Sequence, residues 1–358
     1  MKPVIGITMG DPTGIGPEII LKALAGESIR RLCYPVIFGD YKYFLKVENF
    51  LRRKGCLKGK ITFSPRPCFN SIGHQINQIR GSAIPFYDLA NIPKKQKLTF
   101  GKPTAWGGRA SGAFIREAVK AALNGAIDGL VTAPINKLAF KMGGWGKKFA
   151  GHTEMLGSLT GTKDFALMMI LGPFRVIHVT SHVPLDQVKF LIKKKRIEKT
   201  IELANQGVKA LGIASPKIAV SGLNPHAGEN GILGREELDE ISPAIISSRK
   251  KGLRVKGPFP PDIIWPLVLN GAYDIGVAMY HEQGQIPLKI LSFRTNSENL
   301  EPGKLVNITV GIPIIRTSVG HGTAYDIAGK GLADDSSLRE AIKVACQLAG
   351  QMVMQKKC

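Results

Sequence analysis

The chain has 358 residues, 44% of them hydrophobic and 21% charged, with 49 Lys and Arg against 27 Asp and Glu for a formal charge of +22. This length holds two domains or one large α/β unit, and the apolar content is enough to bury a sizeable core. The charge would suit a nucleic-acid binder, but its runs (Lys94, Lys95 and Lys97; Lys193 to Arg196; Arg249 to Lys251) are short; each sits beside a helical pattern or polar loop without zinc-finger spacing or an RNP-like motif, so they read as solvated faces of an enzyme for a small anion.

Apolar, β-branched runs alternate with helical patterns. Pro3 to Met9 reads as a buried strand, and the segment from Pro17 as a helix with Pro in its first turn and Gly26 near its end. Tyr34 to Gly39 is a second strand, followed by an amphipathic stretch from Tyr41. Ala110 to Leu123 has helical spacing, and Asp128 to Ile135 returns to strand. Phe165 to Thr180 reads as two strands around Gly172-Pro173, a hairpin signal. Val188 to Leu211 predicts one long basic helix, Lys217 to Leu223 a strand, Arg235 to Lys250 a helix and Tyr273 to Tyr280 a strand. Leu288 to Leu291 (LKIL) is strand-like, Arg294 to Lys304 is a polar insert, Asn307 to Thr317 holds one or two strands, and Ser336 to Gln355 closes the pattern as a helix. The alternation predicts an α/β fold with a mostly parallel sheet, helices on both faces and an antiparallel patch in a second domain.

No apolar run is long enough to span a bilayer, and the start MKPVIGITMGDPTGIGPE is not that of a signal peptide. The five Cys (33, 56, 68, 346 and 358) form no CxxC, so they read as reduced thiols in a cytoplasmic protein.

Ligands of open α/β sheets gather at the carboxyl ends of strands. The turn Gly10 to Glu18 follows the first strand and is either a tight turn or an anion loop; it is neither GxGxxG nor a Walker A sequence. Three of the seven His follow apolar strands: His182, His226 and His281. Far apart in the chain, they are either separate structural residues or convergent metal ligands. His152 and Thr153, in GHTE, read as an anion contact or a helix cap. Asp262 lies in the Pro-rich GPFPPD, where it is a held carboxylate or a turn residue. Lys289 in an apolar run must snorkel, pair or act as an acid or base, and Arg316 at a strand end reads as an anion clamp. The segment Gly320 to Gly331 is a glycine-rich loop that allows close backbone approach, with or without a ligand.

The segments GDPTGIGPE, GKPTAWGGRAS, TAPINK, GHTEML, TSHVPL, GLNPHAGE, GPFPPD, YHEQGQIPLK and VNITVGIPIIRTSVGHGTAYDIAGKG occur in this order over nearly the whole chain. Together they resemble the 4-hydroxythreonine-4-phosphate dehydrogenase family of pyridoxine 5'-phosphate (vitamin B6) biosynthesis. The loop GHGTAYDIAGKG also resembles the adenosine-side loop of isocitrate and isopropylmalate dehydrogenases. The resemblance implies their two-domain fold, with a cofactor-side domain over residues 1–127 plus 305–358 and a metal, substrate and dimerisation domain over 128–304. It implies a homodimer with the active site at the subunit interface. His182 and His226 of one chain and His281 of the other would bind one divalent metal ion, zinc, magnesium or cobalt. His152 and Thr153 would contact the substrate, joined by Lys289, Asn307 and Arg316 of the partner chain. His321, Gly322, Thr323 and Asp326 would line NAD or NADP.

The implied reaction is oxidation of 4-phosphooxy-L-threonine at C3, with hydride passing to the nicotinamide. The metal acts as a Lewis acid on the hydroxyl, and Lys289 or Asp262 is the base. The product, 2-amino-3-oxo-4-phosphooxybutanoate, loses CO₂ to give 3-amino-2-oxopropyl phosphate. Two alternatives stand beside it: oxidation of phospho-threonate or phospho-erythronate, and, from a related two-domain architecture, acyl transfer to phosphate. The chain departs from the family pattern twice. Gly320 replaces the Asp of SVDHGT, which bears on the choice between NAD and NADP, and the insert Arg294 to Lys304 lengthens the path from Lys289 to Asn307.

Overall fold

The computed structural model describes residues 2–59, 61–66, 83–149, 151–296, 299–302 and 304–355. His74, Cys68 and Cys358 lie outside the described residues. The chain divides into two compact units, residues 1–163 with 312–358 and residues 164–311.

In the first unit the strands lie in the order Phe63–Arg66, Ile84–Asp88, Tyr34–Gly39, Val4–Thr8, Gly129–Thr132, Arg316–Val319, every neighbouring pair parallel. All residues of Val4–Thr8 and of Gly129–Thr132 are buried, so both faces of these strands are covered, as a parallel sheet requires. Helices Ala105–Leu123 and Ser336–Gln355 pack on them. The expected edge after residue 127 lies instead after 163. The reason is that Gly129–Thr132 pairs with both Val4–Thr8 and Arg316–Val319 and is a central strand of this unit.

The helix expected from Ala110 begins five residues earlier, at Ala105, where Thr104 Oγ1 accepts from the Gly107 amide as its N-cap. Two glycines in the first turn hide this start in the sequence. Their role is tertiary: a Cβ on Gly108 would come within 1.7 Å of the Ala139 carbonyl oxygen, so the helix Lys137–Met142 packs on bare backbone.

In the second unit the order is Val306–Val310, Ala166–Leu171, Phe174–His178, Ile275–Ala278, Lys217–Ser221, Arg254–Phe259. The first three run antiparallel and the others parallel. The expected hairpin forms with Leu171 facing Phe174 across Gly172-Pro173. Val306–Val310 belongs to this sheet through Ala166–Leu171, which moves the second edge from 304 to 311. A core of Met169, Phe174, Val176, Trp265, Val268 and Leu288 fills one side.

Two expected elements differ. The long basic helix is two helices, Leu185–Leu191 and Lys194–Ala210. The break falls where Ile192 is fully buried and Lys193 is extended, and Glu240 accepts from the Lys194 amide at 2.7 Å, starting the second helix afresh. The strand-like LKIL is helical, within His281–Ser292, whose buried Gln283, Gly284, Leu288 and Ser292 share one face. Pro287 and a short alternation of polar and apolar residues disguise it. In the insert, Phe293–Asn296 and Asn299–Pro302 pair antiparallel; residues 297, 298 and 303 lie outside the described residues.

Candidate active site

In the first unit the site is built around Arg316, at the start of its strand and 3% exposed. Its strand pairs in register with Gly129–Thr132, which sets the Thr132 hydroxyl beside the guanidinium. Thr132 Oγ1 accepts from Arg316 Nη2 at 2.7 Å and from Nε at 3.2 Å. His152, the first residue of helix His152–Leu159, brings Nδ1 to 3.3 Å from Arg316 Nη2 of the same chain, so Arg316 joins His152 within one chain and not from a partner as expected. Its Nε2 is buried with no hydrogen-bond partner among the described residues. Burial, and then the Arg316 charge, holds the His152 imidazole well below its ordinary pKa, so it is neutral. Burial lowers the Arg316 guanidinium to about 9. The cap of this helix is Gly151, not Thr153, which lies in the first turn. A guanidinium, an imidazole, a hydroxyl and the open amides of a helix N-terminus together suit a carboxylate or phosphate.

The second feature of this unit is the loop His321 to Asp326. Tyr325 donates to Asp11 Oδ2 at 2.8 Å, and the Ile15 amide donates to the Thr323 carbonyl at 3.1 Å. Asp11 also accepts from Thr13 N and Oγ1, so the Gly10 to Glu18 turn is closed by its own contacts and is a tight turn, not an anion loop. Thr323 is buried and Ala324 has φ +41°. Gly322 and Asp326 are exposed, and no atom lies within 4 Å of where a Gly322 side chain would be. His321 Nδ1 lies 2.9 Å from the Gly322 carbonyl oxygen. An anchored loop with open backbone at Gly322 fits the flat, polar edge of a nucleotide.

The second unit gathers histidines. The His182 and His281 rings lie 5.0 Å apart between centroids, and the His178 and His281 rings 5.7 Å. Thr180, between His178 and His182, donates its amide and its hydroxyl to the Met279 carbonyl, two residues before His281. Gln283, 6% exposed, accepts from the Met279 amide and donates to the Gly222 carbonyl, which leads to His226. These bonds tie three strand ends together, and each end carries a histidine. Sequence reasoning missed Thr132, Thr180, His178 and Gln283. For Thr132 the only signal was its place at the end of an apolar strand.

Backbone conformation marks the same residues. His182 has φ +52°. From His226 to Asn230 five consecutive residues are left-handed, with φ between +41° and +79°. Left-handed helical geometry costs roughly 1–2 kcal/mol per non-glycine residue, so the run persists only because its surroundings hold it. Among the described residues of one chain, no group of three or more His, Cys, Asp or Glu is placed to hold a metal ion. The donor chemistry nevertheless fits a divalent cation: His182 and His281 offer neighbouring imidazoles, and His226 stands exposed on the left-handed turn.

The remaining expected residues belong to the second unit. Lys289 is half-buried on helix His281–Ser292, and burial lowers its pKa. Asn307 is half-buried in its strand, facing Met169. Asp262 is exposed in the turn entering helix Ile264–Leu269.

Residues 31–345 match the family model described as pyridoxal phosphate biosynthetic protein PdxA. The chain is 44% identical to D-threonate 4-phosphate dehydrogenase of Cupriavidus necator, over 97% of both chains. It is also 44% identical to 4-hydroxythreonine-4-phosphate dehydrogenase of Desulfosudis oleivorans, over 97% of this chain and 96% of that one. Among solved structures, 4-hydroxythreonine-4-phosphate dehydrogenase of Klebsiella pneumoniae is 37% identical over 98% of each chain, with a TM-score of 0.80.

Proposed function

The chain belongs to the PdxA family, and from that premise we propose that it is the NAD(P)-dependent dehydrogenase that oxidises 4-phosphooxy-L-threonine to 2-amino-3-oxo-4-phosphooxybutanoate. The observation that carries the reading is the buried Arg316, held by Thr132 and facing His152 at a helix N-terminus. A phosphorylated hydroxy acid supplies the anion that such a site selects.

In this reading Arg316, His152 and Thr153 bind and orient an anionic end of the substrate, assisted by Lys289 and Asn307. Neutral His152 donates a hydrogen bond without adding a second buried positive charge. His182, His226 and His281 would hold a divalent cation, whose chemistry is to polarise the C3 hydroxyl and stabilise the enolate as CO₂ leaves. His281 lies beside His182 of its own chain, so in this reading a homodimer completes the set around that same-chain pair and not by supplying His281 alone from the partner. Lys289 serves as base in preference to Asp262. Its lowered pKa favours the neutral amine that accepts a proton, whereas Asp262 stands exposed. The loop His321 to Asp326 would receive the cofactor, which takes the hydride.

A second reading, oxidation of D-threonate 4-phosphate, is favoured by the name of the equally similar Cupriavidus necator relative. Both substrates share the phosphate and the oxidised hydroxyl. Reduced cofactor formation with each substrate, with NAD and with NADP, decides between them by kcat/KM. The expected result is the higher value with 4-phosphooxy-L-threonine and loss of turnover with EDTA, restored by a divalent metal. A higher value with D-threonate 4-phosphate selects the second reading. Turnover untouched by EDTA removes the metal from both.

A further inference from the structure

Glu237 is a buried carboxylate, 3% exposed, with no ion pair among the described residues. Its partners are neutral and lie on one short segment. Oε1 accepts from the Leu223 amide at 2.7 Å and the Asn224 amide at 2.8 Å, and Oε2 accepts from Asn224 Nδ2 at 2.9 Å. Two residues later begins the left-handed run from His226 to Asn230. The carboxylate also abuts the run itself: a Cβ on Gly228 would lie 2.5 Å from Glu237 Oε2. Glu237 opens the π-helical turn Glu237–Ile241, a local geometry that recurs near functional sites.

The other end of the segment is fixed independently. The Gly222 amide donates to the Phe259 carbonyl, and Gln283 Nε2 donates to the Gly222 carbonyl. The stretch from Gly222 to Asn230 is thus held at its entry by backbone and Gln283, and at Leu223 and Asn224 by Glu237, with Glu236 Oε2 sharing the Asn224 Nδ2 donor at 2.7 Å. A charged acceptor gathering three N–H groups outcompetes water for them, which a neutral side chain does weakly. The left-handed backbone is also held by its own bonds, from the Ala227 amide to the Asn224 carbonyl and from the Leu233 amide to the Gly228 carbonyl, so Asn224 links the Glu237 carboxylate to the run.

We propose that Glu237 is a positioning residue that holds the left-handed turn and thereby sets the direction in which His226 presents its imidazole to a divalent cation. This rests on the reading of His226 as a metal ligand. Glu237→Gln keeps the shape and one acceptor oxygen but turns an amide toward Asn224 Nδ2, so donor meets donor and the segment loosens. Outer-shell partners of metal ligands are typically worth about 10- to 100-fold in metal affinity, which sets the expected loss.

The test is titration of the metal-stripped full-length protein with Co²⁺, followed by calorimetry and by the d–d absorption of the bound ion. The wild type, His226→Ala, Glu237→Gln, Glu236→Gln and Asn224→Ala proteins are compared, with thermal unfolding of each. The expected result is about 10- to 100-fold weaker Co²⁺ binding and an altered d–d spectrum in Glu237→Gln, with His226→Ala weaker still. Wild-type affinity and spectrum in Glu237→Gln, beside a weakened His226→Ala, overturn the proposal and leave the metal reading intact. Wild-type affinity in His226→Ala overturns both. Should Glu237→Gln not fold, Asn224→Ala beside Glu236→Gln decides, because Asn224 Nδ2 donates to both carboxylates: weaker Co²⁺ binding in Asn224→Ala with unchanged binding in Glu236→Gln supports the role of Glu237, and unchanged binding in Asn224→Ala or equal weakening in both overturns it.

Discussion

His152 keeps a neutral imidazole because its Nε2 is shut away from water and a guanidinium lies beside its Nδ1. That arrangement has a pH signature whose sign follows from linkage. In the unfolded chain an imidazole takes up a proton near pH 6.5. In the fold it does so only at lower pH, so below that value the unfolded state binds more protons and stability falls as the pH falls. For one such group the loss between about pH 7.5 and about pH 5.5 is about 1.4 kcal/mol. Urea unfolding of the wild type and of His152→Asn at both pH values is expected to show the wild type losing about that much more on acidification. Equal losses would mean that the folded ring exchanges protons like an exposed one. The sequence marks His152 by its GHTE context, but not its neutrality. That depends first on burial in the fold and then on Arg316, 164 residues away in the chain.

At the level of elements, strands and long helices were largely legible. Tyr34–Gly39 and Ser336–Gln355 form over the residues the pattern predicts, and the hairpin turns at Gly172-Pro173. The misreadings have tertiary causes. Val188 to Leu211 has unbroken helical character, yet the buried Ile192 and the Glu240 cap split it. LKIL alternates like a strand, yet its neighbours Gln283, Gly284 and Leu288 bury one helical face. Helix Ala105–Leu123 begins with glycines that local propensity disfavours, because the backbone of Ala139 must approach Gly108. Gly108→Ala tests this. On propensity alone the change would stabilise the helix by roughly 1 kcal/mol. The collision with the Ala139 carbonyl is expected to outweigh that, with a net loss of about 3 kcal/mol in urea unfolding. A stabilised variant would show that the two helices separate at little cost.

On the scale of the whole molecule, the second unit leaves large apolar side chains in water: Leu185 at 71%, Ile232 at 78% and Ile290 at 70% exposure. Side chains of this kind suit burial against a second copy, in line with the proposed homodimer. Sedimentation is expected to give about twice the chain mass of 38.7 kDa, and Ile232→Asp to shift the protein toward monomer with loss of turnover. A monomeric, fully active wild type would end that proposal. What the sequence determined alone is whatever depends on near neighbours: the alternation of strands and helices, the hairpin, and the histidines that follow strand ends; Arg316, expected to end a strand, instead opens one. These are legible because strand and helix periods and turn chemistry act over a few residues. Only the tertiary structure decided that Thr132 grips Arg316, that Gln283 ties the His226 segment to the strand end before His281, and that Glu237 accepts from the two amides just before a left-handed turn. Those contacts join residues from separate elements, and their geometry follows from sheet register and helix packing, which no local pattern encodes.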